Sequence, residues 1–312
     1  MLKHIVGKKI NEIGGFAIKS EFVRHFINTV YHSNFFRIVT KRLEEMMDRR
    51  LLEEVKKHKL PEHVAIIMDG NRRFADGLGL DHNMGHQLGM DKLEEVAEWC
   101  FFEMGIKVLT VYAFSTENFK RDDKEVHAIM HLCVEALEKS VNDSRVHDNK
   151  IHIGVIGHLE SLPKKVRDAA KLIMNHTKSY NEHFLNIALA YGGREDILQA
   201  IHRIARDVRN NKLKPEDIDE KIISSYLYTN GLPDPNLILR TSGEERLSNF
   251  LLWQAAHSDL CFADVYWPAF KKRDLLKAIR TYQQREHRFN NSPISLEVSS
   301  KNQVFQQPEL SI

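Results

Sequence analysis

Three stretches of the chain set arginine beside small polar and acidic side chains, a combination suited to binding phosphorylated ligands. The first is Asp69-Gly70-Asn71-Arg72-Arg73-Phe74. Gly70 permits an unusual turn and a close approach of backbone to a ligand. Loop amides there can point at an anion, and the forked donors of Arg72 and Arg73 match phosphate oxygens. Asp69 is a hard oxygen ligand of the kind Mg²⁺ takes. The second stretch, Ser115-Thr116-Glu117-Asn118-Phe119-Lys120-Arg121, gathers hydroxyls, an amide and an arginine. The third, Arg240-Thr241-Ser242-Gly243-Glu244-Glu245-Arg246-Leu247-Ser248-Asn249, brackets a carboxylate pair with two arginines. Each alone has a plain alternative: a turn with solvated arginines, a helix cap, or a salt-bridged surface loop. Together they supply more cations than one phosphate needs. Two diphosphates sharing Mg²⁺ would use them all.

Other phosphate and metal chemistries lack their motifs. Gly77-Leu-Gly79 has no third glycine and does not directly follow a strand, so it is no dinucleotide fingerprint. No GxxxxGK[ST] loop occurs, and no HExxH occurs among the 17 histidines. His82 and His86 are spaced to share a helix face, either as metal ligands or as phosphate contacts. Asp122-Asp123-Lys-Glu-Val126 lacks the last acid of an aspartate-rich DDxxD metal site.

These stretches must be positioned by the elements around them. His63-Val-Ala-Ile-Ile-Met68 reads as a buried strand ending in a turn. Further strands are expected at Val108–Tyr112, Ile151–Ile156, Phe184–Tyr191 and Leu237–Leu239. Helical periodicity marks 85–104, 123–140, 164–178, 195–209, 249–256 and 271–288. Strands apolar on both faces, alternating with long helices, predict an α/β fold with a mostly parallel central sheet flanked by helices. Ligands of such sheets gather beyond the carboxyl ends of the strands, where all three polar stretches fall.

The chain has 312 residues, 42% hydrophobic and 28% charged, an ordinary globular profile. No run reaches eighteen apolar residues, so no membrane span is expected, and no secretory signal is recognisable at the start. Three isolated cysteines exclude a disulfide framework and point to a reducing cytoplasm. A net charge of only +2 argues against nucleic acid as a partner. The charge is uneven, however: residues 1–60 hold 13 Lys and Arg against 7 Asp and Glu. That segment reads as a basic helical extension. One apolar stripe runs through Phe22, Val23, Phe26, Ile27 and Val30, and another through Phe36, Val39, Leu43, Met46, Met47 and Leu51. The stripes would pack on protein or lie on an anionic membrane surface, which would place the chain peripherally on the inner membrane face. Residues 61–289 read as the main domain and 290–312 as a mobile polar tail.

The motifs His63-Val-Ala-Ile-Ile-Met-Asp-Gly-Asn-Arg-Arg-Phe74, Tyr112-Ala-Phe-Ser-Thr-Glu-Asn118, Asn186-Ile-Ala-Leu-Ala-Tyr-Gly-Gly-Arg194 and Arg240-Thr-Ser-Gly-Glu-Glu-Arg-Leu-Ser-Asn-Phe-Leu-Leu-Trp-Gln254 resemble, in order, those of the cis-prenyltransferases. This is the family of undecaprenyl and dehydrodolichyl diphosphate synthases, and the resemblance runs from about His63 to Phe289. It implies repeated condensation of isopentenyl diphosphate onto an allylic diphosphate primer, with Mg²⁺ as cofactor and an apolar tunnel for the product. Carried over, Asp69 would position Mg²⁺ and the diphosphates. Gly70, Asn71, Arg72, Arg73, His82 and His86 would hold the allylic diphosphate, and Phe74 and Phe119 would line the prenyl path. Asn118, with Ser115, Thr116 and Glu117, would sit at the reacting carbons, and Arg121 would face the same pocket. Arg240, Arg246, Leu247 and Ser248 would grip isopentenyl diphosphate. Asp259 or Glu245 would serve a second metal position.

Some positions depart from bacterial members of the family. His82 stands where they place arginine, Asp259 replaces glutamate, Glu245 replaces histidine and Arg72 replaces glycine. The Arg-Arg pair and the long helical front end look more like archaeal and eukaryotic relatives, which leans the primer towards geranylgeranyl. The ending Arg285-Glu-His-Arg-Phe289 resembles the homodimeric type. The alternative from another class is a non-catalytic subunit of the same fold that activates a partner. Such relatives lose the Asp-Gly-Asn loop and its arginines, which this chain keeps.

Overall fold

The computed structural model describes residues 34–290. The chain divides into two compact units, one ending at Glu54 and the other beginning at Val55. In the first, helix α1 (Asn34–Lys56) is the described element and runs on across the division. The stripe expected through Phe22 to Val30 and the tail from 291 lie outside the described residues.

The second unit is built on six parallel strands in the order β3-β4-β2-β1-β5-β6. Strand β1 (His63–Ile67) is buried at every position, as its unbroken apolar run requires. It pairs with β2 (Val108–Ser115) on one side and β5 (Leu237–Thr241) on the other. Strands β3 (Ile151–Ile156) and β4 (His183–Tyr191) extend the sheet beyond β2. Strand β6 (Asp259–Ala263) closes the far edge beside β5. Ile67 lies across from Tyr112 and from Arg240, so β1, β2 and β5 deliver their following residues to one rim. The chain winds outward from β1 in one direction and later crosses back to add β5. That reversal opens a crevice at the strand ends.

Helices α2 (Asn71–Leu78) and α3 (His82–Glu98) follow β1, and α3 runs into a wider π turn over Trp99–Glu103. Helix α4 (Asp123–Val141) follows β2, and the short α5 (Ser144–Asp148) leads into β3. Helices α6 (Lys164–Thr177), α7 (Gly193–Arg209) and α8 (Glu220–Tyr226) cover the rest, and α9 (Lys272–Asn290) ends the described chain. Gln283 of α9 donates to the carbonyl of Val55 at 2.8 Å, which ties the start of this unit to its last helix.

The expected strands and most helices are present. Residues 249–256 are not an α-helix: Gln254–His257 is a single 3₁₀ turn and the residues before it form an irregular loop. Backbone at Ser248, Asn249 and Leu251 takes positive φ, which no helix allows. Helix α2 was expected as a bare turn. Its eight residues make barely two turns, include a glycine and have only Phe74, Ala75 and Leu78 as apolar positions, so the sequence signal for it is weak. Strand β6 was not expected either, because its half-buried residues lack the apolar run of a central strand.

Candidate active site

Asp69 leaves the carboxyl end of β1 and is fixed by its backbone. Its N–H donates to Thr241 Oγ1 at 2.9 Å, and that hydroxyl donates back to the Asp69 carbonyl at 2.7 Å. The N–H of Trp267 donates to the same carbonyl at 3.0 Å. The side chain then has little choice of direction. Asp69 Oδ2 accepts from Arg240 Nη2 at 2.7 Å, and Oδ1 accepts from Arg73 Nη2 at 3.2 Å. Burial alone would raise this carboxyl. The Arg240 bond and charge, with Arg73 and Ser242, outweigh it and hold Asp69 below its usual range.

Gly70 turns the chain into α2 at φ 102°, a conformation open to glycine. A Cβ there would stand 2.7 Å from a ring carbon of Tyr266 and 3.1 Å from Cβ of Ser242. This tight turn aims Arg73 across the rim. Arg73 donates to Ser242 Oγ at 2.7 Å, lies 3.3 Å from Glu244 and sits over the Tyr266 ring. Glu244 also pairs with Arg246.

Arg240 is buried at the end of β5. Its Nη1 donates at 2.6 Å to the carbonyl of Arg246 and at 2.6 Å to Ser248 Oγ, so the loop after β5 wraps around the guanidinium. Positive φ at Ser242 and Ser248 marks how sharply that loop bends. Arg240 Nε and Asn71 Oδ1 are buried without hydrogen-bond partners, so the cradle holds unused donor and acceptor capacity.

Arg72 points the other way, to a second cluster. Glu125 of α4 accepts from Arg121 Nη1 at 2.9 Å, lies 3.0 Å from His86 Nε2 and 3.6 Å from Arg72. Burial would raise Glu125, but His86, Arg121 and Arg72 overcome it and keep its pKa low. Burial lowers that of His86, against the opposing pull of Glu125. Nearby, Ser115 and Asn118 cap the 3₁₀ turn Thr116–Lys120 reciprocally. Ser115 Oγ accepts from Asn118 N–H at 3.2 Å and Asn118 Oδ1 accepts from Ser115 N–H at 3.0 Å. That leaves the Asn118 Nδ2 donors available. Thr116 Oγ1 donates to Glu117, and Asn249 Nδ2 donates to Glu117 at 3.0 Å, which joins this turn to the loop after β5. Phe119 packs edge-on against Phe114.

Beneath the rim a cavity runs between the sheet and helices α3 and α4. Asn71 and His86 line its mouth, and Met90, Leu93, Ile129 and Leu189 line its body. Strand β4 and the start of β3 form its floor through Leu185 and Ile153.

The metal question turns on the donor set. Among the described residues no three His, Cys, Asp or Glu side chains gather in a metal-binding group. Mg²⁺ on phosphate substrates commonly takes only one or two carboxylates and fills its shell with phosphate oxygens and water. Asp69, beside arginines able to hold those phosphates, fits that pattern.

Most expected site residues meet here, but four do not. Asp259 starts β6 across from Leu237, at the amino ends of the strands, whereas Asp69 follows a carboxyl end, and it pairs with Arg285 at 3.2 Å. Within one chain it does not share a metal position with Asp69. Glu245 is exposed, and its neighbour Glu244 is the acid that faces Arg73 and Arg246. His82 pairs with Asp76 at 2.8 Å on the surface between α2 and α3. Leu247 packs with the buried cluster that includes Tyr112, Tyr191 and Phe250. Conversely, Glu125 and Tyr266 were not expected at the site. Glu125 stands four residues after Arg121, but Arg121 lies before α4 in extended conformation, so helical spacing did not announce the pair. Tyr266 carries no such signal.

This arrangement matches known proteins. A family model described as "Putative undecaprenyl diphosphate synthase" covers residues 67–290. The chain belongs to the undecaprenyl diphosphate synthase family of cis-prenyltransferases. It is 51% identical over 253 residues to the tritrans,polycis-undecaprenyl-diphosphate synthase (geranylgeranyl-diphosphate specific) of Methanopyrus kandleri, covering 81% of this chain and 93% of the relative. The synthase of the same name from Thermoplasma volcanium is 53% identical over 239 residues, 77% of this chain and 92% of that one. Among solved structures, lavandulyl diphosphate synthase from Lavandula x intermedia, in complex with dimethylallyl diphosphate, superposes with TM-score 0.67. It is 34% identical, over 72% of this chain and 95% of that one. A probable undecaprenyl diphosphate synthase from Campylobacter jejuni gives TM-score 0.60 at 31% identity, over 75% and 99%. As a cis-prenyltransferase the chain is an enzyme.

Proposed function

We propose that this cis-prenyltransferase builds a long polyprenyl diphosphate by adding isopentenyl diphosphate units to geranylgeranyl diphosphate. The observation that carries the reading is the Asp69 carboxylate clasped between Arg73 and Arg240, from different strand ends, at the mouth of an apolar cavity. The names of the archaeal relatives, which specify geranylgeranyl diphosphate, favour that primer.

In each cycle the allylic C–O bond breaks and its electron pair leaves with the diphosphate. The terminal methylene of isopentenyl diphosphate bonds to the allylic carbon, and a proton lost from its C2 leaves the new cis double bond. The residues divide the work accordingly. Arg72, Arg73, His86 and the amides after Gly70 receive the allylic diphosphate. Arg240, Arg246 and Ser248 receive the diphosphate of the incoming unit. Asn118, locked by Ser115, presents its Nδ2 donors at the reacting end. Asp69 would hold Mg²⁺ together with diphosphate oxygens, and a cation bound there would offset charge on the leaving group. The cavity would shelter the growing hydrocarbon from water.

The chain would work as a homodimer, in keeping with its Arg285–Phe289 ending. Its basic segment 1–60 would rest on an anionic membrane, consistent with the fact that no described helix is long and apolar enough to span one. The decisive experiment incubates the purified chain with radiolabelled isopentenyl diphosphate, Mg²⁺ and either geranylgeranyl or farnesyl diphosphate. Long labelled products, made faster from geranylgeranyl diphosphate, are expected. No incorporation with either primer would overturn the reading.

A further inference from the structure

The turn after β4, Gly192-Gly193-Arg194, takes no direct part in the condensation chemistry, yet it holds one residue of the loop after β5. The N–H of Gly193 donates to the Asn249 carbonyl at 2.6 Å, and the N–H of Arg194 donates to Asn249 Oδ1 at 3.0 Å. The other end of the same amide, Nδ2, donates to Glu117 Oε1 at 3.0 Å. Asn249 thus links the segments that follow β2, β4 and β5. A Cβ on Gly192 would stand 2.8 Å from Asn249 Nδ2 and 2.9 Å from Thr116 Oγ1, so the three segments close on one another without room for a side chain. Asn249 takes φ 64°, and Ser248 before it φ 48°. Asparagine enters that left-handed region more readily than most residues with a side chain.

Glu117 is exposed, so one hydrogen bond to it adds little to stability. The value of the bond lies in what it aligns. Asn118 follows Glu117, and Ser248 precedes Asn249. Ser248 Oγ accepts from the buried Arg240 at 2.6 Å, while Asn118 is locked by its reciprocal bonds with Ser115. We infer that Asn249 is a positioning residue: through Glu117 it fixes Asn118, at the reacting end, against the Arg240 and Ser248 seat of the incoming diphosphate. The inference rests on the proposed roles of Asn118 and of that seat. The incoming unit is short, so its C2 lies wherever its diphosphate is held. A shift between the two segments carries that carbon away from Asn118 and slows bond formation and proton loss. The allylic primer is gripped from α2 and α3 through Arg73 and His86, so its binding does not depend on the Asn249 bond. A clip that served folding alone would change stability and leave the turnover of each folded molecule untouched.

The test exchanges donor and acceptor across the bond. Asn249→Asp keeps an acceptor for the Arg194 N–H and suits the left-handed backbone, but it removes the donor and sets a second carboxylate against Glu117. Initial rates of isopentenyl diphosphate incorporation, at matched folded fraction, should show kcat lower by about tenfold or more. KM for isopentenyl diphosphate should rise and KM for the primer should not. Adding Glu117→Gln supplies a donor from the other side, so Asn249→Asp with Glu117→Gln should recover most of the lost kcat. Glu117→Ala breaks the bond from its exposed partner and serves if Asn249→Asp folds poorly. It should lower kcat with the primer KM unchanged, more than Glu117→Gln alone does, and should add little to the loss in Asn249→Asp. Parent kcat in Asn249→Asp or Glu117→Ala, or no recovery in the exchanged pair, would overturn the inference alone. A parent chain that incorporates no label from either primer would remove the proposed function and this inference together.

Discussion

Asp69 Oδ2 stands 2.7 Å from Arg240 Nη2, although 171 positions separate the two residues in the chain. The pairing is a consequence of strand order. Strands β1 and β5 are parallel neighbours with Ile67 across from Arg240, so the residue two beyond Ile67 meets the arginine at the rim. Arg240 is almost fully buried, with a side-chain exposure of 5%, and Asp69 is its acidic partner at the rim.

Asp69→Asn should therefore lower turnover by about 100-fold or more, since it removes an anchoring charge where charge develops during bond cleavage. It should also lower stability, because Arg240 keeps its burial and loses its counter-charge. Steady-state kcat and thermal melts of the same preparations check both effects. A kcat within a factor of a few of the parent would place the metal and diphosphate elsewhere. The pH dependence has a defined sign. The folded state holds Asp69 below its usual pKa, so its stabilising contribution is complete above the ordinary carboxylate range and fades as pH falls through it. The stability gap between parent and Asp69→Asn should close in that direction.

Gly70→Ala tests the turn that aims Arg73. The φ of 102° is unfavourable for alanine, and the added Cβ would meet the Tyr266 ring at 2.7 Å. We expect a loss of about 1–3 kcal/mol of stability from strain alone, and reduced activity because relief of the clash must move Arg73 or Tyr266. Chemical denaturation with activity at matched folded fraction separates the two. A variant as stable and active as the parent would show that the turn is not needed in this form.

How much of this was legible beforehand follows from what sets each feature. The central strands were readable because β1 and β2 are buried on both faces, and an unbroken apolar run has few other outcomes. That Asp69 and Arg240 would share a rim followed from reading strand ends in a parallel sheet. Their direct contact did not, since it depends on β5 lying next to β1 rather than beyond β3. Asp259 shows the cost of that missing information. The family resemblance gives it a metal role, yet parallel pairing with Leu237 puts it at the amino end of its strand, away from Asp69 within one chain. Glu244 and Glu245 were indistinguishable as a pair of adjacent acids. Only the bend after Ser242 decides which one turns inward.

Glu125 holds Arg72, Arg121 and His86 in the absence of substrate. Glu125→Ala frees three donor groups that then lose their common orientation. We expect KM for the allylic primer to rise by about tenfold, the cost of one charge-assisted contact, with a smaller effect on KM for isopentenyl diphosphate. An unchanged primer KM would mean that these groups find the diphosphate without Glu125. Burial already lowers the pKa of His86 while Glu125 raises it, so the same variant should lower it further. NMR titration of the imidazole checks this independently of catalysis.

His63 offers the clearest acid sensitivity in the body of the protein. It is fully buried at the start of β1, with Nδ1 2.7 Å from the Pro233 carbonyl and Nε2 2.8 Å from Thr110 Oγ1. Burial lowers its pKa to about 4, against a weaker opposing effect of the Pro233 bond. The unfolded chain binds a proton at this histidine near pH 6.5, and the folded chain resists it until about pH 4. Unfolding thus takes up a proton across that window, so stability falls as pH drops through it, by about 3 kcal/mol in total. His86 and His183, both lowered by burial, push the same way, so the parent slope alone does not isolate His63. Comparison with His63→Gln does. The variant should be less stable at pH 7, where it loses at least one of the two buried hydrogen bonds, yet its stability should decline less steeply between pH 6.5 and 4. Urea titrations at several pH values in that range measure both slopes, and parallel slopes would mean that His63 titrates normally in the folded protein.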